Sequence, residues 1–217
     1  MIAICGSLEP LGRHEALAAA VAVRAAALDA TVEVVGIVPE GQDGDATLLA
    51  LSAVGVGHAA ALRAAVRPLE SADLDLALRY LPDLRVVVAI GLDSQLMPAL
   101  AEAAAFAGAP LIVVAAHEAL AHEASAYGAS AHEASAGGAM DHASAADAES
   151  GALPESAIVL QAPVSDPDGT FAGFVATFAS RLDAGDSPAD AWMGTLQALA
   201  VDPVSRPADA PGQAADQ

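Results

Sequence analysis

Residues 2–38 read IAICGSLEPLGRHEALAAAVAVRAAALDATVEVVGIV, and the order of patterns inside this stretch decides the fold. The apolar run Ile2 to Cys5 stops at Gly6-Ser7, which predicts a short buried strand. A loop through Pro10 and Gly12 follows. The Ala-rich segment from about Arg13 to Leu28 has helical length, and Thr31 to Val38 is β-branched and strand-like. Strand, helix and strand in that order are a βαβ unit, which implies a parallel sheet covered by helices.

The same rhythm continues downstream. The turn PEGQDGD (39–45) leads to a helix through LLALSAVGV, and a short helix is expected near Ala72 to Tyr80. Val86 to Ile90 reads as a strand, Ser94 to Ala107 as a helix and Pro110 to Ala115 as another strand. After an interruption come a strand at Ala157 to Gln161 and a helix over Thr170 to Leu182. Ser187 stands as N-cap with Pro188 at N1 of a last helix. The expected fold is therefore α/β: a three-layer α/β/α sandwich with a mainly parallel sheet of five or more strands, doubly wound.

The chain of 217 residues is sized for a single domain over residues 1–200. Residues 116–152 interrupt it with a five-residue repetition (AHEAL, AHEAS, AYGAS, AHEAS), a period that fits neither helix nor strand and offers little to bury. They read as a low-complexity insertion, and residues 201–217 as a frayed tail. His117, His122, His132 and His142, interleaved with Glu118, Glu123 and Glu133, could recruit a divalent metal. A spacing of five turns successive imidazoles about 140° apart on a helix, so a solvated insertion is the plainer reading. No resident metal is expected.

Net charge is −20, from 28 acidic and 8 basic residues, and every basic residue is Arg because Lys is absent. This charge disfavours nucleic acid and anionic membranes as partners. Lack of Lys removes Walker-type phosphate binding and Schiff-base chemistry. The single Cys5 can form no internal disulfide, which points to a cytoplasmic protein, and its place in a predicted buried strand makes it a structural thiol. Trp192 reads as an anchor for the last helix.

Residues 12–56, GRHEALAAAVAVRAAALDATVEVVGIVPEGQDGDATLLALSAVGV, resemble the early signature of the ribokinase-like (PfkB) carbohydrate kinases. That family has a Gly-led loop, a helix of small residues, a strand, a Gly/Asp turn and a helix ending in Gly-Val. Residues 166–192, DPDGTFAGFVATFASRLDAGDSPADAW, are similar to its closing block, where a Gly-Ala-Gly-Asp anion hole opens a helix. The resemblance implies ATP-dependent phosphoryl transfer, with Mg²⁺, to a hydroxyl of a sugar or nucleoside. It implies a substrate site at Gly6, Gly12, Arg13, Glu40, Gly41 and Gly44, an anion hole at Gly169 and Thr170, and Asp168 as the base that takes the hydroxyl proton.

Every motif is altered. Leu17 stands where the family has an Asn that contacts sugar, and Gly169 stands where the base belongs, with Asp168 one residue earlier. The lid strands expected after about Arg67 are missing, as is the adenine segment expected at the repeat tract. A non-catalytic pseudokinase that binds a small ligand or a partner subunit is the alternative; in it Asp166 and Asp168 are helix-terminal charges favoured by the dipole. A homodimer is compatible with either reading. The opening IAICGSLEP also resembles the phosphate-binding start of flavodoxin-like FMN reductases, with Gly6, Ser7 and His14 at the FMN phosphate.

Overall fold

The computed structural model describes residues 1–8, 16–64, 69–115, 153–154 and 156–201. Six strands form one sheet in the order β3-β2-β1-β4-β5-β6, and every pairing is parallel. They are β1 (Ile2–Gly6), β2 (Val32–Pro39), β3 (Gly57–Ala64), β4 (Val86–Ile90), β5 (Leu111–Ala115) and β6 (Ile158–Gln161). The helices are α1 (Leu17–Ala26), α2 (Gln42–Ala53), α3 (Ser71–Arg79), α4 (Met97–Ala107), α5 (Thr170–Asp183) and α6 (Pro188–Val201). A 3₁₀ turn at Ser94–Leu96 leads into α4.

Alternation along the strands makes the three layers. Ile2, Ile4, Val34, Val86, Val88, Ile112 and Leu160 point to a core shared with α1, α2 and α5. Ala3, Cys5, Val35, Val87, Leu111 and Val113 point the other way, into a core shared with α3 and α4. Strands buried on both faces can be apolar at every position, as β1 and β4 are. Helices α1 and α5 lie side by side on their face. Both bury alanines, Ala18, Ala19, Ala22 and Ala25 on one and Ala172, Ala176 and Ala179 on the other, so small side chains allow a close approach.

Two features depart from the sequence expectation. GHAAALRA forms β3, a strand that the sequence pattern does not announce, because alanine carries no β preference. Its pairing with β2 makes it one. Where the register slips between Glu33 and Val35, the Glu33 carboxylate accepts from the amide of Ala60 at 3.2 Å and satisfies a donor that the ladder leaves open. Helix α2 also starts at Gln42, so residues 42–45 of the expected Gly/Asp turn are helical and only Glu40 and Gly41 remain as the turn.

Side chains cap two of the helical starts. Asp93 accepts from the amide of Gln95 at 2.9 Å ahead of α4, and Ser187 Oγ accepts from the amide of Asp190 at 3.2 Å, as expected of the N-cap of α6. Trp192 meets Phe174 edge-on at 5.0 Å and Phe178 at 5.8 Å between ring centroids, pinning α6 to α5. No helix among the described residues is long and apolar enough to cross a membrane. The repeat tract, its histidines and the tail from residue 202 lie outside the described residues, as do Gly12, Arg13 and His14.

Candidate functional site

The strand order reverses between β1 and β4: β2 and β3 extend the sheet one way, β4, β5 and β6 the other. In an open parallel sheet, ligands bind outside the carboxyl ends of the strands at such a switch. Gly6 closes β1 there. A Cβ on Gly6 would stand 2.9 Å from the carbonyl oxygen of Ile90 and 3.0 Å from Cβ of Ala18, so only glycine lets β1, β4 and α1 meet this tightly. Beyond it, the amide of Leu8 donates to the carbonyl of Ile37 at 3.2 Å, which carries the chain along β2.

At the end of β2, Glu40 is exposed, and Gly41 has a φ of 101°, a conformation that favours glycine, at the N-cap of α2. Gly44 is buried one turn into α2, and a Cβ there would overlap the carbonyl oxygen of Pro39. Its absence of a side chain serves the seating of α2 on β2. Glu40 and Gly41 thus share the carboxyl edge with Gly6, whereas Gly44 faces inward.

Helix α5 brings the second half of the site. Its last residue, Asp183, meets the Met1 amino group at 2.7 Å at the opposite edge of the sheet. A helix of 14 residues spans about 21 Å, so its entrance lies toward the carboxyl ends of the strands. The turn Asp166-Pro167-Asp168-Gly169 forms that entrance. Gly169 has a φ of 64°, and its amide donates to the carbonyl of Asp166 at 3.1 Å. The two carboxylate oxygens of Asp166 accept from the amides of Phe171 at 3.0 Å and Ala172 at 2.9 Å. Of the first helical amides, that of Thr170 is left with no partner among the described residues. The Asp168 carboxylate is exposed and likewise unpartnered among them, while its carbonyl accepts from Nη2 of Arg24 at 3.2 Å.

The sequence marked Asp166 only as a helix-terminal charge; its part as the group that occupies these amides comes from the fold-back of the turn. An Asp-Pro-Asp-Gly turn directly before a helix was the available signal.

Charge at this edge is mostly negative. Glu40, Asp93, Asp166 and Asp168 lie in the turns that follow strands, and Asp43 and Asp45 in the first turn of α2. The described cations nearby are engaged: Arg24 with the Asp168 carbonyl, and Arg63 with Asp45 at 2.5 Å. Among the described residues no three His, Cys, Asp or Glu side chains gather as a metal site. Cys5 is wholly buried in β1, and desolvation pushes its thiol pKa up from 9.0 to about 12, which keeps it protonated and out of the chemistry.

An ATP-dependent transfer needs open donors and counter-charges for a polyanionic phosphate chain. Among the described residues this edge offers one open amide, that of Thr170, and one exposed guanidinium, that of Arg24, against six carboxylates, a donor set thinner than a triphosphate chain calls for.

The overall architecture has solved counterparts. A ribokinase from Arabidopsis thaliana, complexed with ribose and ATP, matches with a TM-score of 0.56 at 14% identity, covering 91% of this chain and 90% of that one. A fructokinase from Xylella fastidiosa with bound ATP matches with a TM-score of 0.51 at 15% identity, covering 90% and 85%. A protein named Sa239 matches with a TM-score of 0.55 at 13% identity, covering 91% and 92%. No family model matches the sequence, and no curated protein does. The flavodoxin-like alternative is not supported, because that fold has the strand order 2-1-3-4-5, with one strand beyond β1, and here there are two. Strand order, layer arrangement and these likenesses agree: the chain has a ribokinase-like fold.

Proposed function

We propose that this protein is a non-catalytic ligand-binding module on the ribokinase-like fold. It takes a neutral, hydroxyl-rich small molecule of sugar or nucleoside type at the carboxyl edge and transfers no phosphoryl group. One observation carries this reading: the described part of that edge holds six carboxylates against two arginines, and one of those, Arg63, is paired with Asp45. Carboxylates accept hydrogen bonds from hydroxyl groups, as a polyol or ribose requires, and repel a nucleoside triphosphate. Gly6, Gly12, Arg13, Glu40 and Gly41 would line the ligand, with Gly44 supporting the turn from behind.

The second reading, an active sugar or nucleoside kinase using ATP and Mg²⁺, is favoured by the exposed Asp168 carboxylate at the entrance of α5. There Asp168 would act as base, and Gly169 and Thr170 would line the anion hole. Asp168→Asn would then abolish turnover.

A panel of sugars and nucleosides, each with and without ATP and Mg²⁺, separates the two. At a ligand concentration of about 100 Kd, binding to the folded state contributes about 2.7 kcal/mol, a shift of several degrees in Tm. The proposal expects such a shift with at least one neutral compound, none with ATP, and no ADP release. Sugar-dependent ADP formation would overturn it.

A further inference from the structure

Asp166 occupies three of the amides at the entrance of α5 and leaves that of Thr170. Its carbonyl takes the amide of Gly169 at 3.1 Å, and its two carboxylate oxygens take those of Phe171 and Ala172 at 3.0 and 2.9 Å. A phosphate approaching a helix N-terminus would seek the same amides with the same sign of charge. An ordinary cap sits directly ahead of its helix and uses one oxygen, as Ser187 does for α6. Here the residue directly ahead is Gly169, whose left-handed conformation folds the turn back so that an upstream carboxylate reaches two amides at once.

We propose that Asp166 determines what this edge rejects: it is an intramolecular anion that bars phosphorylated ligands from the entrance of α5. The proposal rests on the non-transferring reading above and names the residue that enforces it. A phosphate would have to displace a carboxylate from two bonds and then remain beside it. Arg24, the described cation nearest the turn, donates to the Asp168 carbonyl and lies against Gly169, beside the amides that Asp166 occupies. The excluded class therefore includes phosphosugars as well as nucleotides.

The test uses the full chain, inorganic phosphate as probe, and chloride at matched ionic strength as control. Thermal unfolding and calorimetric titration are compared for wild type, Asp166→Ala and Asp166→Ser. Loss of the cap lowers the starting Tm of both variants. Wild type is expected to show no phosphate-specific rise in Tm, and both variants a clear one, with phosphate bound at least about 10-fold more tightly than by wild type. Asp166→Ser keeps one acceptor for the entrance amides, and if Asp166→Ala does not fold, Asp166→Ser decides alone. Folded variants that ignore phosphate would reduce Asp166 to a cap and overturn the proposal, as would wild type binding phosphate as tightly as the variants. Neither sugar nor turnover enters the readout, so this result and the ligand-binding result fail independently.

Discussion

Arg24, in the last turn of α1, donates from Nη2 to the carbonyl of Asp168 at 3.2 Å, and its guanidinium lies against Gly169. This contact ties the two neighbouring helices of one face together at the turn that opens α5. It also sets what residue 169 can be. Gly169→Ala places a Cβ against the guanidinium and holds an L-residue at a φ of 64°. The backbone part of this costs about 1–2 kcal/mol. Because Arg24 is exposed and can swing aside, the steric part is small. Urea unfolding of Gly169→Ala in wild-type and Arg24→Ala backgrounds should give losses that differ by less than about 1 kcal/mol.

Gly44 and Gly41 separate packing from conformation. At Gly44 the added methyl meets a backbone carbonyl that cannot rotate away, so Gly44→Ala should lose about 3 kcal/mol by overpacking. Gly41 has open space around it but a φ of 101°, and Gly41→Ala should lose about 1–3 kcal/mol from strain alone. Denaturant midpoints check both. If Gly44 touched ligand, its substitution would weaken binding while leaving stability intact, the reverse of the expectation.

Cys5 makes stability depend on alkaline pH. Its thiol is an acid whose folded pKa is raised, so the native state keeps the proton longer than the unfolded state does. The contribution is complete below the unfolded value of 9.0 and is lost as pH rises toward about 12. Within that window the slope approaches about 1.4 kcal/mol per pH unit. Urea midpoints of wild type should therefore fall more steeply above pH 9 than those of Cys5→Ala. A native protein that reacts with a thiol reagent as fast as the unfolded chain would contradict this burial.

Trp192 is the only tryptophan, so its fluorescence reports on the junction of α5 and α6 directly. With 39% of the residue exposed, Trp192→Ala should cost about 2–3 kcal/mol, less than a fully buried aromatic would. Trp192→Phe retains an edge-on ring and should cost about 1 kcal/mol. An unfolding transition seen by fluorescence well before the one seen by circular dichroism would show that α6 detaches on its own.

Much of the fold was legible because β1, β2, β4, β5 and β6 are written in Ile, Val and Leu, which mark buried strands in any context. GHAAALRA was not, since alanine suits a helix as well as a strand and its pairing with β2 is a long-range fact. The turns at Gly6 and at the entrance of α5 were legible too, because turn residues meet the ends of periodic segments there. What the residues there touch was hidden. Gly44 looked like part of a binding turn and is a packing contact, and Asp166 looked like a surface charge and holds two amides with its carboxylate. Both outcomes depend on backbone positions a few residues away, which local pattern does not fix.

The central place of β1 also shapes how the chain must be made. β1 has β2 on one side and β4 on the other, so its second edge stays bare until Val86–Ile90 has left the ribosome. At usual synthesis rates that delay is on the order of ten seconds, during which an apolar strand stands half-paired. Nascent-chain chaperones would meet this protein at its first strand, and its yield in the cell would depend on how well that edge is sheltered.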